Sequence, residues 1–174
     1  QIVPIDGLPY GTYTVTEAAN DAWKTTVGST ETNTAEVPVS KETEAKVTFT
    51  NARNLYNNDD GKIKVTKNWV RIGTEAYPDV TFELWQQLGE AEVLYQTLTL
   101  SGANVDADGK ISGEFTNVPK YALDGKTEYV YDVTEEPVPG YDQTSGSPNT
   151  EKTEWTFTNE RLEAGAIQIT KIWE

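Results

Sequence analysis

A lysine, a glutamate and an asparagine recur in this chain, each in a fixed local setting, and together they are the reactants for making an amide bond. Tyr13-Thr14-Val15-Thr16-Glu17 returns as Tyr131-Asp132-Val133-Thr134-Glu135, and Phe49-Thr50-Asn51 as Phe157-Thr158-Asn159. Gly61-Lys62-Ile63-Lys64-Val65-Thr66-Lys67-Asn68-Trp69 returns as Gly165-Ala166-Ile167-Gln168-Ile169-Thr170-Lys171-Ile172-Trp173. An unprotonated amine can attack a side-chain amide, and a protonated carboxyl beside that amide can polarise its carbonyl and carry a proton to the departing nitrogen.

The elements that position these groups are strands. Side chains alternate between the two faces of a strand, so parity against hydrophobic neighbours tells which way each polar group points. Lys67 shares a face with Ile63, Val65 and Trp69, Glu135 with Tyr131 and Val133, and Asn159 with Trp155 and Phe157. In the first copy Glu17 falls beside Tyr13 and Val15, and Asn51 beside Val47 and Phe49. All three group types therefore aim at a core, where a charge is costly unless it is paired or neutralised.

Burial lowers the pKa of a lysine and raises that of a carboxylate. In an apolar pocket the amine of Lys67 attacks the side-chain carbonyl carbon of Asn159, ammonia leaves, and Glu135 shuttles the proton. Proximity set by folding can offset on the order of 7 to 11 kcal/mol of the barrier. The reaction runs once per molecule, so it is maturation and not turnover, and it calls for no metal or cofactor. Lys64 is the competing lysine in the same strand, but its parity is outward and it becomes Gln168 in the next copy. Glu136 adjoins Glu135, but Ala18 stands at its position in the first copy. The bland reading of the same residues is a lysine that snorkels to water or a plain ion pair.

The 174 residues suffice for one or two domains with a full core. Short alternating runs punctuated by Gly and Pro, with no long helical periodicity, predict an all-β sandwich. The net charge of −14 and the lack of a basic patch argue against nucleic acid and against the surface of an anionic membrane as partners. No apolar run approaches the roughly 20 residues that span a bilayer. Cys and His are both absent, which removes disulfides, thiolate chemistry and the commonest metal ligand.

The two Asn positions lie 108 residues apart and the two Lys positions 104 apart, the size of one sandwich domain. The expected organisation is a C-terminal half-repeat over 1–55, a complete repeat over 61–160, and the first strand of a further repeat over 165–174. Within 61–160 the expected strands begin with that of Lys67 and continue with 79–85, 93–100, 129–135 and 154–159. Turns are expected at 77–79, 124–125, 137–140 and 145–148, and a hairpin at Asp108-Gly109. Half a sandwich leaves an open sheet edge. Lys171 of one molecule could therefore enter the unfinished copy of another near Glu17 and Asn51, giving head-to-tail self-association.

The Thr-Lys-x-Trp strand, the Val-Thr-Glu strand followed by Pro137-Val138-Pro139-Gly140-Tyr141, and the closing Phe-Thr-Asn resemble the B-type repeats of the staphylococcal collagen adhesin, the Cna protein B-type domains. The resemblance covers 61–160 whole and both flanks in part. It implies a reverse-immunoglobulin-like sandwich in tandem, of the kind found in Gram-positive surface adhesins and pilins, with an intramolecular Lys–Asn isopeptide bond. Residue by residue it implies Lys67, Asn159 and the promoting Glu135, with Glu17 and Asn51 lacking their lysine and Lys171 lacking its partners. It also implies an extracellular place on the bacterial surface, wall attachment through parts outside this chain, and neighbouring domains of the same protein as partners. No host ligand is legible.

Three other readings compete. Asn104 to Ser112 imitates the start of a calcium loop, but its closing acid, Glu114, comes one place early and no helices flank it. The 5 Trp and 9 Tyr could form a sugar-stacking platform, which makes a carbohydrate-binding module the main alternative. Glu135 and Glu136 as a glycosidase pair fail because adjacent strand residues point to opposite faces.

Overall fold

The computed structural model describes residues 2–42, 44–70 and 74–162. The 165–174 strand and Lys171 lie outside the described residues. The chain divides into two compact units, Gln1–Gly61 with Pro119–Tyr129, and Lys62–Val118 with Val130–Glu174. Among the described residues there is no α-helix, only strands and one short 3₁₀ turn.

The second unit is a sandwich of two sheets. Its four-stranded sheet runs in the order β11 (Tyr141–Pro148), β12 (Glu154–Arg161), β6 (Ile63–Val70) and β9 (Lys110–Phe115). Its three-stranded sheet runs β10 (Val130–Glu135), β7 (Val80–Leu88) and β8 (Ala91–Leu100). Period-2 patterning explains the layers: in β6 Ile63, Val65, Lys67 and Trp69 are buried, and in β12 Trp155, Phe157 and Asn159 are buried. From β7, Val80, Phe82 and Leu84 point inward. The sheets meet where Phe82 packs on Phe157, ring centroids 5.1 Å apart. Each such side chain contributes roughly 1.5–3 kcal/mol by leaving water.

The first and last strands among the described residues of this unit, β6 and β12, are neighbours and run parallel, with Lys67 opposite Phe157 and Trp69 opposite Asn159. All other pairings among the described residues of the unit are antiparallel.

Two expectations fail here. Residues 145–148 are not a turn but part of β11, an outer strand. The Ser-Gly-Ser-Pro composition reflects what an outer strand tolerates, since Pro148 ends the strand and Gly146 presses on Phe157, where an added Cβ would stand 2.8 Å from the ring. Asp108-Gly109 is not a hairpin, because β8 and β9 belong to different sheets. It turns the crossover between them, and Asp106 Oδ1 accepts the N–H groups of Asp108 and Lys110 at 3.0 and 2.8 Å.

The first unit holds two small sheets. One pairs β1 (Gly11–Thr16) with β4 (Thr34–Val39). The other runs β3 (Thr30–Glu31), β2 (Trp23–Val27) and β5 (Phe49–Arg53). Residues 119–129, which fall between strands of the second unit, join it: Arg53 donates to the carbonyl of Tyr121 at 2.5 Å, and Lys120 N–H donates to the carbonyl of Asn54 at 3.0 Å.

Candidate functional site

Lys67 enters the site from the middle of β6, where strand alternation forces its side chain to the same face as Val65 and Trp69. Its side chain is fully buried, and so is that of Glu135, at 0 % and 1 % exposure. Asn159 on β12 is 2 % exposed. The structure thus brings Lys67 and Asn159 to one face of one sheet and Glu135 to the facing sheet.

Glu135 stands between the other two. Lys67 Nζ donates to Glu135 Oε2 at 2.5 Å, and Asn159 Nδ2 donates to Glu135 Oε1. Asn159 Oδ1 is buried and has no hydrogen-bond partner. The orientation is informative: Glu135 faces the nitrogen that would depart, whereas the sequence argument placed it on the carbonyl oxygen. A half-turn of the amide exchanges the two.

Burial pushes the Lys67 ammonium down from 10.5 to about 8, with the hydrogen bond and charge of Glu135 acting in the opposite direction. Desolvation is the larger effect, as it is for a lysine removed from water. The ammonium also lies 4.8 Å from the centroid of the Trp69 ring, and that ring is capped edge-on by Tyr141 at 4.8 Å. These aromatics close the pocket against water. Sequence parity placed Trp69 in the core but gave no sign that it covers the lysine.

The competing residues lie elsewhere. Lys64 is on the outer face, 46 % exposed, paired with Glu154 at 2.9 Å. Glu136 is exposed, and its backbone N–H donates to the carbonyl of Thr81 at 2.9 Å. No cluster of three or more His, Cys, Asp or Glu side chains suited to a metal occurs among the described residues, and the Asp106 carboxylate of the calcium-like loop is committed to backbone N–H groups.

The first unit reproduces part of this arrangement. Asn51 Nδ2 donates to Glu17 Oε1 at 2.7 Å. Glu17 is fixed by its own backbone, its N–H donating to the carbonyl of Asn33 at 2.8 Å and its carbonyl accepting Asn33 Nδ2 at 3.0 Å.

The Cna protein B-type domain model matches residues 63–160 of this sequence. The chain belongs to the Cna protein B-type domain family. The matched segment begins at the first residue of β6 and ends one residue short of the end of β12, so it contains Lys67, Glu135 and Asn159. No curated protein matches the chain. Among solved structures, the chain is similar to the pilus adhesin SpaC from Lactobacillus rhamnosus GG, with 16% identity and a TM-score of 0.40, over 72% of this chain and 15% of that one. The chain thus spans a small part of that adhesin. Among the described residues, no helix of this Cna B-type chain is long and apolar enough to cross a membrane.

Proposed function

We propose that this Cna B-type chain is a load-bearing stalk segment of a bacterial cell-surface adhesin or pilus-like protein, built of tandem sandwich repeats and stiffened by a self-formed bond between Lys67 Nζ and Asn159 Cγ. The observation that carries the reading is a lysine and an asparagine on adjacent parallel strands, both hydrogen-bonded to one buried carboxyl group.

The reaction balances without an outside reagent. Within the Lys67–Glu135 pair the proton moves from ammonium to carboxylate, leaving a neutral amine and a neutral acid. The amine lone pair adds to Asn159 Cγ, the Cγ–Nδ2 bond breaks, and Glu135 relays the proton that lets ammonia leave. An amide remains where a buried ion pair stood. The site turns over once, so the chain is a structural protein and not an enzyme.

The mechanical consequence follows from topology. Tension between the start of β6 and the end of β12 pulls two adjacent parallel strands in opposite directions and loads their hydrogen bonds in shear. The covalent bond between those strands takes that load. It also closes a loop of roughly 90 residues, worth about 4–5 kcal/mol if loop entropy behaves as it does for a disulfide, and no reductant opens it. Single-molecule pulling is the test: the chain between the linked residues, about 300 Å if extended, should never be released, whereas the Asn159→Ala variant should release it. Release of that length from the unaltered protein would refute the stalk mechanism.

A carbohydrate-binding module is the reading from another class. Trp85 Nε1 donates to Thr134 Oγ1 at 2.9 Å and Tyr95 packs near Tyr131 at 6.3 Å, so these two aromatics are engaged in the fold.

A further inference from the structure

The outer face of the three-stranded sheet carries an ordered array of side chains that the Lys67 site does not use. Alternation and register send Glu83, Trp85 and Gln87 of β7, Val130 and Asp132 of β10, and Glu92 and Leu94 of β8 away from the core. Trp85 stands at the centre, opposite Asp132 on one side and Leu94 on the other, while Val130 and Glu92 both lie opposite Gln87. Leu94 and Val130 are 46 % and 48 % exposed. An apolar strip thus crosses three strands, bordered by the carboxylates of Glu83, Glu92 and Asp132.

This face lacks two things that the rest of the molecule supplies. One is countercharge. On the four-stranded sheet Glu154 is neutralised by Lys64 at 2.9 Å and Glu114 by Lys62 at 3.2 Å. The strands β7, β8 and β10 contain no Lys or Arg, and Glu83, Glu92 and Asp132 have no ion pair among the described residues. The other is a cation on the ring. Arg53 lies over Trp23, Lys67 over Trp69, Lys120 over Tyr121 and Arg161 over Tyr141, at 5.2, 4.8, 5.0 and 5.4 Å from the ring centroids. Trp85 is partly exposed and has no such cation among the described residues. Its single donor, Nε1, is already given to Thr134 Oγ1 at 2.9 Å. The indole is therefore held in place, and what it offers a partner is its π surface.

We infer that this face of the second unit docks an extended, arginine-bearing segment of a partner protein, with a guanidinium stacked on Trp85 and apolar side chains on Leu94 and Val130. Charge complementarity selects the occupant. A guanidinium is flat enough to stack on an indole while its fork of N–H groups binds carboxylates. Asp132 stands across the strand gap from Trp85, about 5 Å away, and Glu83 about 7 Å along the same strand, so one arginine reaches both. Alternate side chains of an extended segment also recur about every 7 Å, which lets an arginine and an apolar residue two places on face the sheet together. A second copy of the same face would set carboxylates against carboxylates. The docking does not depend on the Lys67–Asn159 bond.

An NMR titration of the full chain with the peptide Arg-Gly-Arg-Gly-Leu, blocked at both ends, tests this. Shifts should gather at the Trp85 indole N–H and at the amides of Leu94, Val130 and Asp132. Affinity should fall with added salt and be severalfold lower for the lysine analogue of the peptide. The triple variant Glu83→Gln, Glu92→Gln, Asp132→Asn keeps the shape of each side chain, so its spectrum should stay that of a folded chain, and it should bind at least about tenfold more weakly. Glu114→Gln, on the other sheet, should bind as the unaltered protein does. Shifts scattered over the whole acidic surface, undiminished binding by the triple variant, or no shift at Trp85 with millimolar peptide would each overturn the inference. So would shifts at this face from cellohexaose or maltohexaose and none from the peptide, which would make it a sugar platform.

Discussion

Lys67 and Asn159 occupy adjacent parallel strands, with Lys67 opposite Phe157 and so two residues short of Asn159. That offset keeps both side chains on the same buried face, and it leaves room for Glu135 to reach both from the other sheet. Under the proposed function, the parallel pairing of β6 with β12 would make one amide bond a lock on the strands between them.

Removing the acceptor amide should therefore cost the lock together with the donor that Asn159 gives to the buried Glu135. Asn159→Ala should lower the melting temperature of the second unit by about 20 °C or more, the equivalent of about 4–5 kcal/mol in a domain of this size. Lys64→Ala serves as the control. It breaks an exposed ion pair to Glu154 and should change stability by less than about 1 kcal/mol. Calorimetry of the two variants beside the unaltered protein makes the comparison.

Bond formation should depend on pH in a definite direction. The reactive state needs one proton on the Lys67–Glu135 pair, held by Glu135 while the amine attacks. With Lys67 titrating near 8, raising the pH through that value removes the shared proton and leaves an amine beside a carboxylate. The rate of ammonia release after refolding from denaturant should fall above about pH 8, approaching tenfold per unit. A rate that keeps rising from pH 8 to 10 would mean that the free amine suffices and that Glu135 gives up no proton.

Close packing at the crossover is equally testable. Gly102 is buried, its N–H donates to Asp79 Oδ1 at 2.8 Å, and an added Cβ would stand 2.0 Å from the carbonyl oxygen of Tyr77. That neighbour is backbone and cannot swing away. Gly102→Ala should destabilise the second unit by about 3 kcal/mol, read as a lowered urea midpoint with an unchanged slope.

Much of this was legible before any coordinates, because strand parity is a binary property. Which of Lys64 and Lys67 is buried follows from one position of alternation, and the buried and exposed faces of β6 keep to it along the whole strand. The strands β7, β10 and β12 were legible for the same reason. What escaped was structure that alternation does not encode. The outer strand β11 exposes almost every residue, so it carries no hydrophobic signal and its Ser-Gly-Ser-Pro reads as a turn. The order of strands within sheets is a long-range property, which is why Asp108-Gly109 looked like a hairpin. Nor does sequence reveal which amide atom faces Glu135, since that is a matter of side-chain geometry. The grouping of 119–129 with the first unit has no local signature at all.

The central claim is a covalent bond, and a mass measurement addresses it directly. The intact protein, denatured before analysis, should weigh one ammonia less than its sequence, and digestion should yield a branched peptide joining Lys67 to Asn159. Lys67→Ala and Glu135→Ala should each restore the full mass. An unaltered protein at its full sequence mass, with Lys67 and Asn159 recovered in separate unmodified peptides, would contradict it.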